Sequence, residues 1–422
     1  MQQLKRSLLS KRLTLSGANI SFVNRARAHV SIANNDVVVT GLAMATALGD
    51  TAQKNWTQLM AGESAIALRQ PFYDLAPGPL AMMGKQPATL QPMTVDLARQ
   101  AWEDAGLSLE FEADPGLGER CGVVVGSSRS HLQTLEVMAQ QQRRMSGQVE
   151  GDWVEALAHG PAVTVTKTVN AQGPLLAPMA ACATGVWAIA QGAELIRAGV
   201  CDRVIAGAVE APITPMTIAG FRKMGALAKT GCYPFDVARE GFVLGEGGAL
   251  MVLESATLAS ARRAKKIYGK ILGVGITNDS HHVSSFDPSY EMGQRAVALC
   301  LSRSGLAAKD IDAIHTHGTS TLQNDQMEAA LIAHLQAERD SAAIPVMATK
   351  GATGHTLGAS GAVIVGCGLL SLHHQVLLPC VGLKEAGFNL AFVREGQTAR
   401  LRNLLCFSFG FGGQNAVLAL SH

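Results

Sequence analysis

One thiol and a handful of imidazoles are the groups whose surroundings in this 422-residue chain suit covalent or acid–base chemistry. Cys182 lies in Met179-Ala180-Ala181-Cys182-Ala183-Thr184-Gly185-Val186, a run of small residues leading into an uncharged helical stretch. A thiol at a helix N-terminus is drawn toward thiolate by free N–H groups and the positive end of the helix dipole, and small neighbours let a substrate approach. A packed core cysteine beside a tight turn accounts for the same run. His315 and His317 fall in His315-Thr316-His317-Gly318-Thr319-Ser320-Thr321, with Asp325 and Glu328 following in a helical pattern. Alternation along an extended segment turns both histidines to one face, so a metal site is conceivable, although no third ligand is evident. A capped strand-to-helix loop holding a satisfied histidine fits as well.

Two glycine-rich segments complete the set. Lys350-Gly351-Ala352-Thr353-Gly354-His355-Thr356-Leu357-Gly358-Ala359-Ser360-Gly361 resembles a phosphate loop only in its glycines. A phosphate loop places Lys late, just before the helix, whereas Lys350 comes first, so nucleotide binding is not expected. Phe407-Ser408-Phe409-Gly410-Phe411-Gly412-Gly413-Gln414-Asn415 can present backbone N–H groups in a tight turn between strands.

Positioning these groups falls to an alternating strand and helix pattern that starts at Asp36. Short β-branched or apolar runs at 37–41, 122–126, 203–208 and 249–253 read as fully buried strands. Further strands are expected near 270–272, 313–315 and 404–407. Helices are expected over 183–198, 217–227, 255–265, 292–304, 325–335 and 356–373. Apolar strands separated by helices favour a mixed or parallel sheet covered on both faces. No internal repeat is visible in the residues themselves.

Composition sets the outer limits. The chain carries 35 Lys and Arg against 33 Asp and Glu, a formal net charge of +2. General nucleic-acid affinity needs a strong basic surplus and is therefore excluded. Charged residues make up 16% and hydrophobic residues 48%, so much of the chain must leave water and disorder is ruled out. The eight cysteines show no C-x-x-C spacing, which argues for a reducing compartment and against zinc or a disulfide framework. The uncharged stretch between Lys167 and Glu194 is broken by Asn170, Gln172, Pro174 and Pro178, and the apolar run from Gly361 to Leu372 is too short to span a bilayer. Residues 1–35 hold Lys5, Arg6, Lys11, Arg12, Arg25 and Arg27 without an acid, as in an organellar transit peptide or a plain extension before the first strand.

Several motifs in one order carry a resemblance. Ala181-Cys182-Ala183-Thr184-Gly185, His317-Gly318-Thr319-x-Thr321, Lys350 with Gly354-His355, and Gly410-Phe411-Gly412-Gly413-x-Asn415 resemble those of the β-ketoacyl-[acyl-carrier-protein] synthases of elongating type, in the thiolase superfamily. Pro234-Phe235-Asp236 through Arg239-x-Gly241-Phe242-Val243-x-Gly245-Glu246-Gly247 adds to it, and the match runs from about Asp36 to Leu420. The resemblance implies a thiolase-like α/β fold of two similar halves forming a layered αβαβα sandwich. Its divisions would be a basic extension at 1–35, a half with the nucleophile at 36–275 and a half with two catalytic histidines at 276–422.

The resemblance also implies roles. Cys182 would take the acyl chain, the backbone N–H groups of Cys182 and Phe411 would form the oxyanion hole, and His317 and His355 would stabilise the enolate released by decarboxylation of a malonyl thioester. Lys350 and Glu328 would be a supporting ion pair, Thr319 and Thr321 would touch the pantetheine arm, and Phe242, Phe409 and Phe411 would line the acyl pocket. No metal or other cofactor is implied, because the substrates ride on the 4'-phosphopantetheine of acyl carrier protein. That acidic partner could be attracted by Arg222, Lys223 and Lys229. A homodimer in the bacterial cytoplasm is expected, or a plastid or mitochondrial location if residues 1–35 are a transit peptide. The chain departs from the family pattern at Asn324, where Gly is usual, and at Trp187, a bulky residue that would limit one end of the acyl tunnel. Two alternatives stand beside this reading: a non-catalytic partner subunit that sets chain length, and a CoA-dependent thiolase with Cys406 as its second cysteine.

Overall fold

The computed structural model describes residues 36–110, 118–144, 153–339 and 342–422, so the basic extension lies outside the described residues. Asn35–His422 is one compact unit. Its first half runs β1 (Val37–Thr46), α1 (Ala52–Met60), β2 (Ala67–Arg69), β3 (Gly78–Leu80), α2 (Leu90–Asp104), β4 (Cys121–Gly126), α3 (Leu132–Arg144), α4 (Gly160–Val169), β5 (Leu175–Leu176), α5 (Thr184–Arg197), β6 (Arg203–Glu210), α6 (Pro215–Lys223), β7 (Gly247–Ser255) and α7 (Ala256–Ala261). The second runs β8 (Gly269–Asn278), α8 (Glu291–Ser304), β9 (Ala313–His315), α9 (Leu322–Ala337), β10 (Pro345–Met347), α10 (Lys350–Thr353), α11 (Ser360–His374), β11 (Val376–Leu377), β12 (Ala391–Phe392), β13 (Gln397–Thr398), β14 (Asn403–Gly410) and β15 (Gln414–Ser421).

Every expected strand is present, and most are longer than expected. Gly41, read as the end of the first strand, lies inside β1 at a register shift. Its missing side chain admits α2 instead, since a Cβ there would come within 2.2 Å of the Ala101 carbonyl oxygen. Two helices end four residues before the expected residue. The one expected to reach 227 stops at Lys223 ahead of Gly225 at φ 68, and the one expected to reach 265 stops at Ala261 ahead of Arg263 at φ 55. Both positions are left-handed and cannot continue a right-handed helix.

A repeat invisible in the residues is plain in the strand order. One mixed sheet of 11 strands runs β12-β10-β9-β14-β15-β8-β1-β7-β6-β4-β5. From the middle outward, β1-β7-β6-β4-β5 and β8-β15-β14-β9-β10 have the same pairing directions: two antiparallel pairs, then two parallel ones. The halves join where Val37–Val39 pairs antiparallel with Gly269–Ile271. The second copy therefore starts at Gly269, and a division at 275/276 cuts through β8.

Side-chain alternation along these strands builds the layers. Leu404 and Cys406 of β14 share a core with Ile189 of α5 and Val363 of α11, while Leu405 and Phe407 pack with Val297 of α8 and Leu331 of α9. In the first half Val124 and Val204 face the central helices, and Val123 and Ile205 face Trp102 of α2 and Val165 of α4. The result is helix, sheet, helix, sheet, helix, the expected sandwich, with one continuous sheet wrapping both sides. The stretch Leu357–His374 is long and apolar enough to cross a membrane, but it is largely buried inside the molecule, which accounts for its composition.

The central layer places the site. α5 and α11 meet at their N-terminal ends, where a Cβ on Gly185 would lie 2.3 Å from Ala362 N and one on Gly361 would lie 2.9 Å from Val186 N. Glycine at both crossing points lets the two helix starts touch.

Candidate active site

Cys182 sits on the turn that feeds α5. Ala181 takes φ 47, a left-handed conformation that costs a residue with a Cβ about 1–2 kcal/mol. Thr184 holds it there: its hydroxyl donates to the Ala181 carbonyl at 2.6 Å and accepts from the Ala180 N–H at 2.9 Å. The same device recurs at Ser320, φ 67, after His317, and at Leu357, φ 44, after His355. Each reactive side chain is thus close to a strained non-glycine residue, of the kind that persists only where surrounding packing over-determines it.

The three segments converge. The Cys182 sulfur and one nitrogen each of His317 and His355 lie within 4.8 Å of one another. The two imidazoles stand nearly perpendicular, centroids 5.2 Å apart at 83°. Phe242 lies edge-on to His355 at 5.1 Å, and Phe409 lies 6.2 Å from His317. From the β14–β15 turn, the Phe411 N–H is directed at the Cys182 sulfur. A Cβ on Gly410 would come within 2.9 Å of Cys182 N, so this approach requires glycine. Ser408 and Ser360 donate to the Cys182 carbonyl at 3.2 and 3.4 Å, steadying the backbone at this thiol.

Electrostatics separates the roles. Burial pushes the Cys182 thiol up to about 11, while the charges of Lys350 and Arg129 and the Phe411 N–H pull it down. The expectation of a thiol drawn toward thiolate is therefore corrected: desolvation outweighs the charges around it, and the thiol holds its proton. His317 and His355 are held well below the ordinary imidazole range by burial, reinforced by the Lys350 charge. Both are neutral. Lys350 Nζ lies 3.2 Å from His317 Nδ1 and donates to the His317 carbonyl. An ammonium has only protons to offer, so Nδ1 accepts and the ring proton sits on Nε2.

The implied Lys350–Glu328 ion pair is not made directly. Glu328 instead accepts the His317 N–H and the Gly318 N–H, each at 2.6 Å, while Lys350 holds the ring and carbonyl of the same histidine. Opposite charges flank one residue from two sides, and both orient it. Burial pushes Glu328 up and Lys350 down, each resisted by the other's charge. His315 also departs from expectation. It is fully buried with Nε2 3.1 Å from Thr349 Oγ1, so the pairing of His315 with His317 in a metal site is not formed. Among the described residues, the three donors close enough together to hold an ion are Cys182, His317 and His355 themselves.

Cys182, His317 and His355 line a cavity of about 50 Å³ together with Thr319, Thr321, Phe242, Phe409 and Phe411. The two threonine hydroxyls lie 2.9 Å apart. Gly410, Phe221, Phe286, Leu357 and Asn324 complete the wall, and of these Phe221 and Phe286 lie in no motif that marks them. Trp187 is not in this wall; it is half-buried against the central core. Cys406 is fully buried in β14 with its sulfur toward the Ile364 carbonyl, outside the cavity. A larger groove of about 670 Å³ is lined by Arg222 and Lys229, with Arg69, beside β2 and β3; Lys223 is not among its residues. Glu210 is a further missed residue. Fully buried, it accepts from Ser127 Oγ at 2.6 Å, Ser128 N at 2.7 Å and Gly358 N at 3.1 Å, tying the loop after β4 to the turn after His355. An acid closing the apolar run Val204–Val209 was its signal in the sequence.

Known proteins share this chain's sequence and fold over most of its length. The chain matches the family model "Beta-ketoacyl synthase, N-terminal domain" over residues 82–259 and "Beta-ketoacyl synthase, C-terminal domain" over 268–384. It is 31% identical over 413 residues to 3-oxoacyl-[acyl-carrier-protein] synthase 2 of Staphylococcus aureus (strain COL), covering 91% of this chain and 98% of that one. The protein of the same name from Mycobacterium bovis is 33% identical over 409 residues, covering 91% and 96%. Among solved structures, a β-ketoacyl synthase from Burkholderia phymatum superposes with a TM-score of 0.81 at 27% identity, covering 92% of this chain and 99% of that one. The ishigamide ketosynthase/chain length factor superposes at 0.83 with 26% identity, covering 92% and 99%. Cys182 falls within the first matched span and His317 and His355 within the second, and the chain belongs to the β-ketoacyl synthase family.

Proposed function

We propose that this protein elongates an acyl chain by two carbons through decarboxylative Claisen condensation with malonyl-acyl carrier protein. The observation that carries the reading is the meeting of one thiol, two neutral imidazoles and the Phe411 N–H in a single phenylalanine-walled cavity. In the first half-reaction the Cys182 sulfur attacks the carbonyl carbon of the acyl thioester. The oxyanion takes the N–H groups of Cys182 and Phe411, the carrier thiol leaves with the proton, and the acyl group stays on sulfur. In the second, the bond between the malonyl α-carbon and its carboxylate breaks and CO₂ departs. The electron pair passes to an enolate whose oxygen accepts the N–H groups of His317 and His355. The carbanion then attacks the acyl-Cys182 carbonyl, a carbon–carbon bond forms, and the sulfur leaves and regains a proton.

Neither half-reaction calls for a redox or metal cofactor; the substrates arrive on the 4'-phosphopantetheine of the carrier. Thr319 and Thr321 offer hydroxyls to that arm. Arg222 and Lys229 face an acidic carrier from the groove wall, with Lys223 adding positive charge on α6. A homodimer in the bacterial cytoplasm belongs to the same reading. A partner subunit that only sets chain length would not need the complete catalytic cluster, and a thiolase base at Cys406 is outside the cavity.

The test is incubation with acyl-carrier and malonyl-carrier substrates of graded length, with products and the acylated residue identified by mass spectrometry. A β-keto product two carbons longer, with the acyl adduct on Cys182, is expected; CO₂ release without condensation would defeat the reading. Arg222→Glu with Lys229→Glu is expected to raise the KM for carrier-bound substrate about tenfold at low salt, with the difference shrinking as ionic strength rises. An unchanged KM would remove the docking assignment alone.

A further inference from the structure

Asn324, at the start of α9, is the residue whose placement the mechanism leaves unused. Its side chain is almost wholly buried and it lines the catalytic cavity. Its Nδ2 donates to Glu328 Oε2 at 2.7 Å and to Asp325 Oδ1 at 3.1 Å, while its Oδ1 has no hydrogen-bond partner. The orientation of the amide follows from this arrangement: reversed, its oxygen would face two carboxylate oxygens.

The two carboxylates are fully buried and three residues apart on one helix, so each opposes ionisation of the other. Asp325 has its own donors, the Phe235 N–H at 2.7 Å and the Ser320 N–H at 3.1 Å. Glu328 spends its two oxygens on the His317 and Gly318 N–H groups. Those two bonds are strongest to a carboxylate, and a proton on Glu328 would take an oxygen from one of them. Groups facing Glu328 are Asp325 from its own helix, His317 from the loop after β9 and Lys350 from α10, with Arg239 and Cys232 beyond Asp325.

We propose that Asn324 is a positioning residue: by donating to both buried carboxylates it favours the carboxylate form of Glu328 over the protonated one, and Glu328 in turn fixes the backbone that aims His317. The proposal rests on the condensing reading only for its catalytic consequence. Asn324→Ala is expected to slow decarboxylation of malonyl-carrier substrate about tenfold while acylation of Cys182, which does not use His317, stays within about twofold. The acid limb of the decarboxylation profile should move up by about 1 pH unit, because removing a donor to the charged form raises the Glu328 pKa. Asn324→Asp should move it further, and Asn324→Ser, which keeps a donor, should recover part of the loss. Equal losses in both half-reactions, or an unmoved acid limb, would overturn the proposal.

Hydrogen–deuterium exchange of the peptide spanning His317 and Gly318 reads the same claim without turnover. Faster exchange in Asn324→Ala below neutral pH, with other segments unchanged, is expected; unchanged exchange overturns the proposal whatever the enzyme's activity. If the Ala variant melts early, the Ser and wild-type proteins carry the same comparison. Failure of the wild type to condense acyl and malonyl substrates would instead count against the functional reading.

Discussion

Cys182→Ala is expected to abolish condensation, lowering turnover by at least about 10⁴-fold, while CO₂ is still released from the malonyl substrate. The two outcomes separate because the sulfur belongs to one half-reaction and the imidazoles to the other. The thiol attacks the acyl carbonyl and carries the chain; decarboxylation needs only a place for negative charge to develop, which His317 and His355 provide within 4.8 Å of the sulfur. Removing the sulfur leaves that place intact. Ala also fits: the side chain is small, half-buried and faces the cavity, so the fold should survive. Radiolabelled CO₂ release and product mass spectrometry on the same sample make the comparison. Condensation by the variant at the parent rate would show that another group carries the acyl chain, and loss of both activities together would show that the halves are not separable.

His355→Ala is expected to do the reverse, cutting decarboxylation by about 10²–10³-fold and leaving acylation of Cys182 nearly intact. A neutral imidazole buried in an apolar wall offers its proton to the enolate without reorganising solvent, and that advantage is lost with the ring. His317→Ala should be at least as damaging, for a reason specific to this arrangement. Lys350 bonds to the His317 ring, so truncation leaves a buried ammonium short of a partner. A lower melting temperature should therefore accompany the loss in His317→Ala and be smaller in His355→Ala. The pH profile adds a check. Burial holds both imidazoles well below the ordinary range, so decarboxylation should show no fall near pH 6.5 as acid is added. A fall with that midpoint that stays in place in Asn324→Ala would mean that at least one ring is solvated and titrates normally, whereas one that moves in that variant belongs to Glu328.

Much of this was legible in the residues, for local reasons. A strand such as Arg203–Glu210, buried at every position, announces itself by apolar β-branched runs, and α11 by an apolar, charge-free stretch. Cys182 stood out because small neighbours and a helix start are features of adjacent residues. Helix ends were placed less well because a single left-handed residue such as Arg263 decides them, and Arg does not advertise that conformation as Gly does.

What the amino-acid order determined by itself was the kind of element at each stretch, the layered α/β class and the chemical groups on offer. Tertiary structure decided everything that depends on residues distant in sequence. The family motifs named His317 and His355, but only the fold shows how near they come to the thiol while His315 turns to Thr349, shows that strand order repeats from Gly269, and replaces a Lys350–Glu328 ion pair with Glu328 and Lys350 holding one histidine from opposite sides. It also sets the thiol's proton affinity, since desolvation depends on what surrounds a group in space. Such properties arise when separate segments of the chain meet in space, and no local pattern encodes their separation.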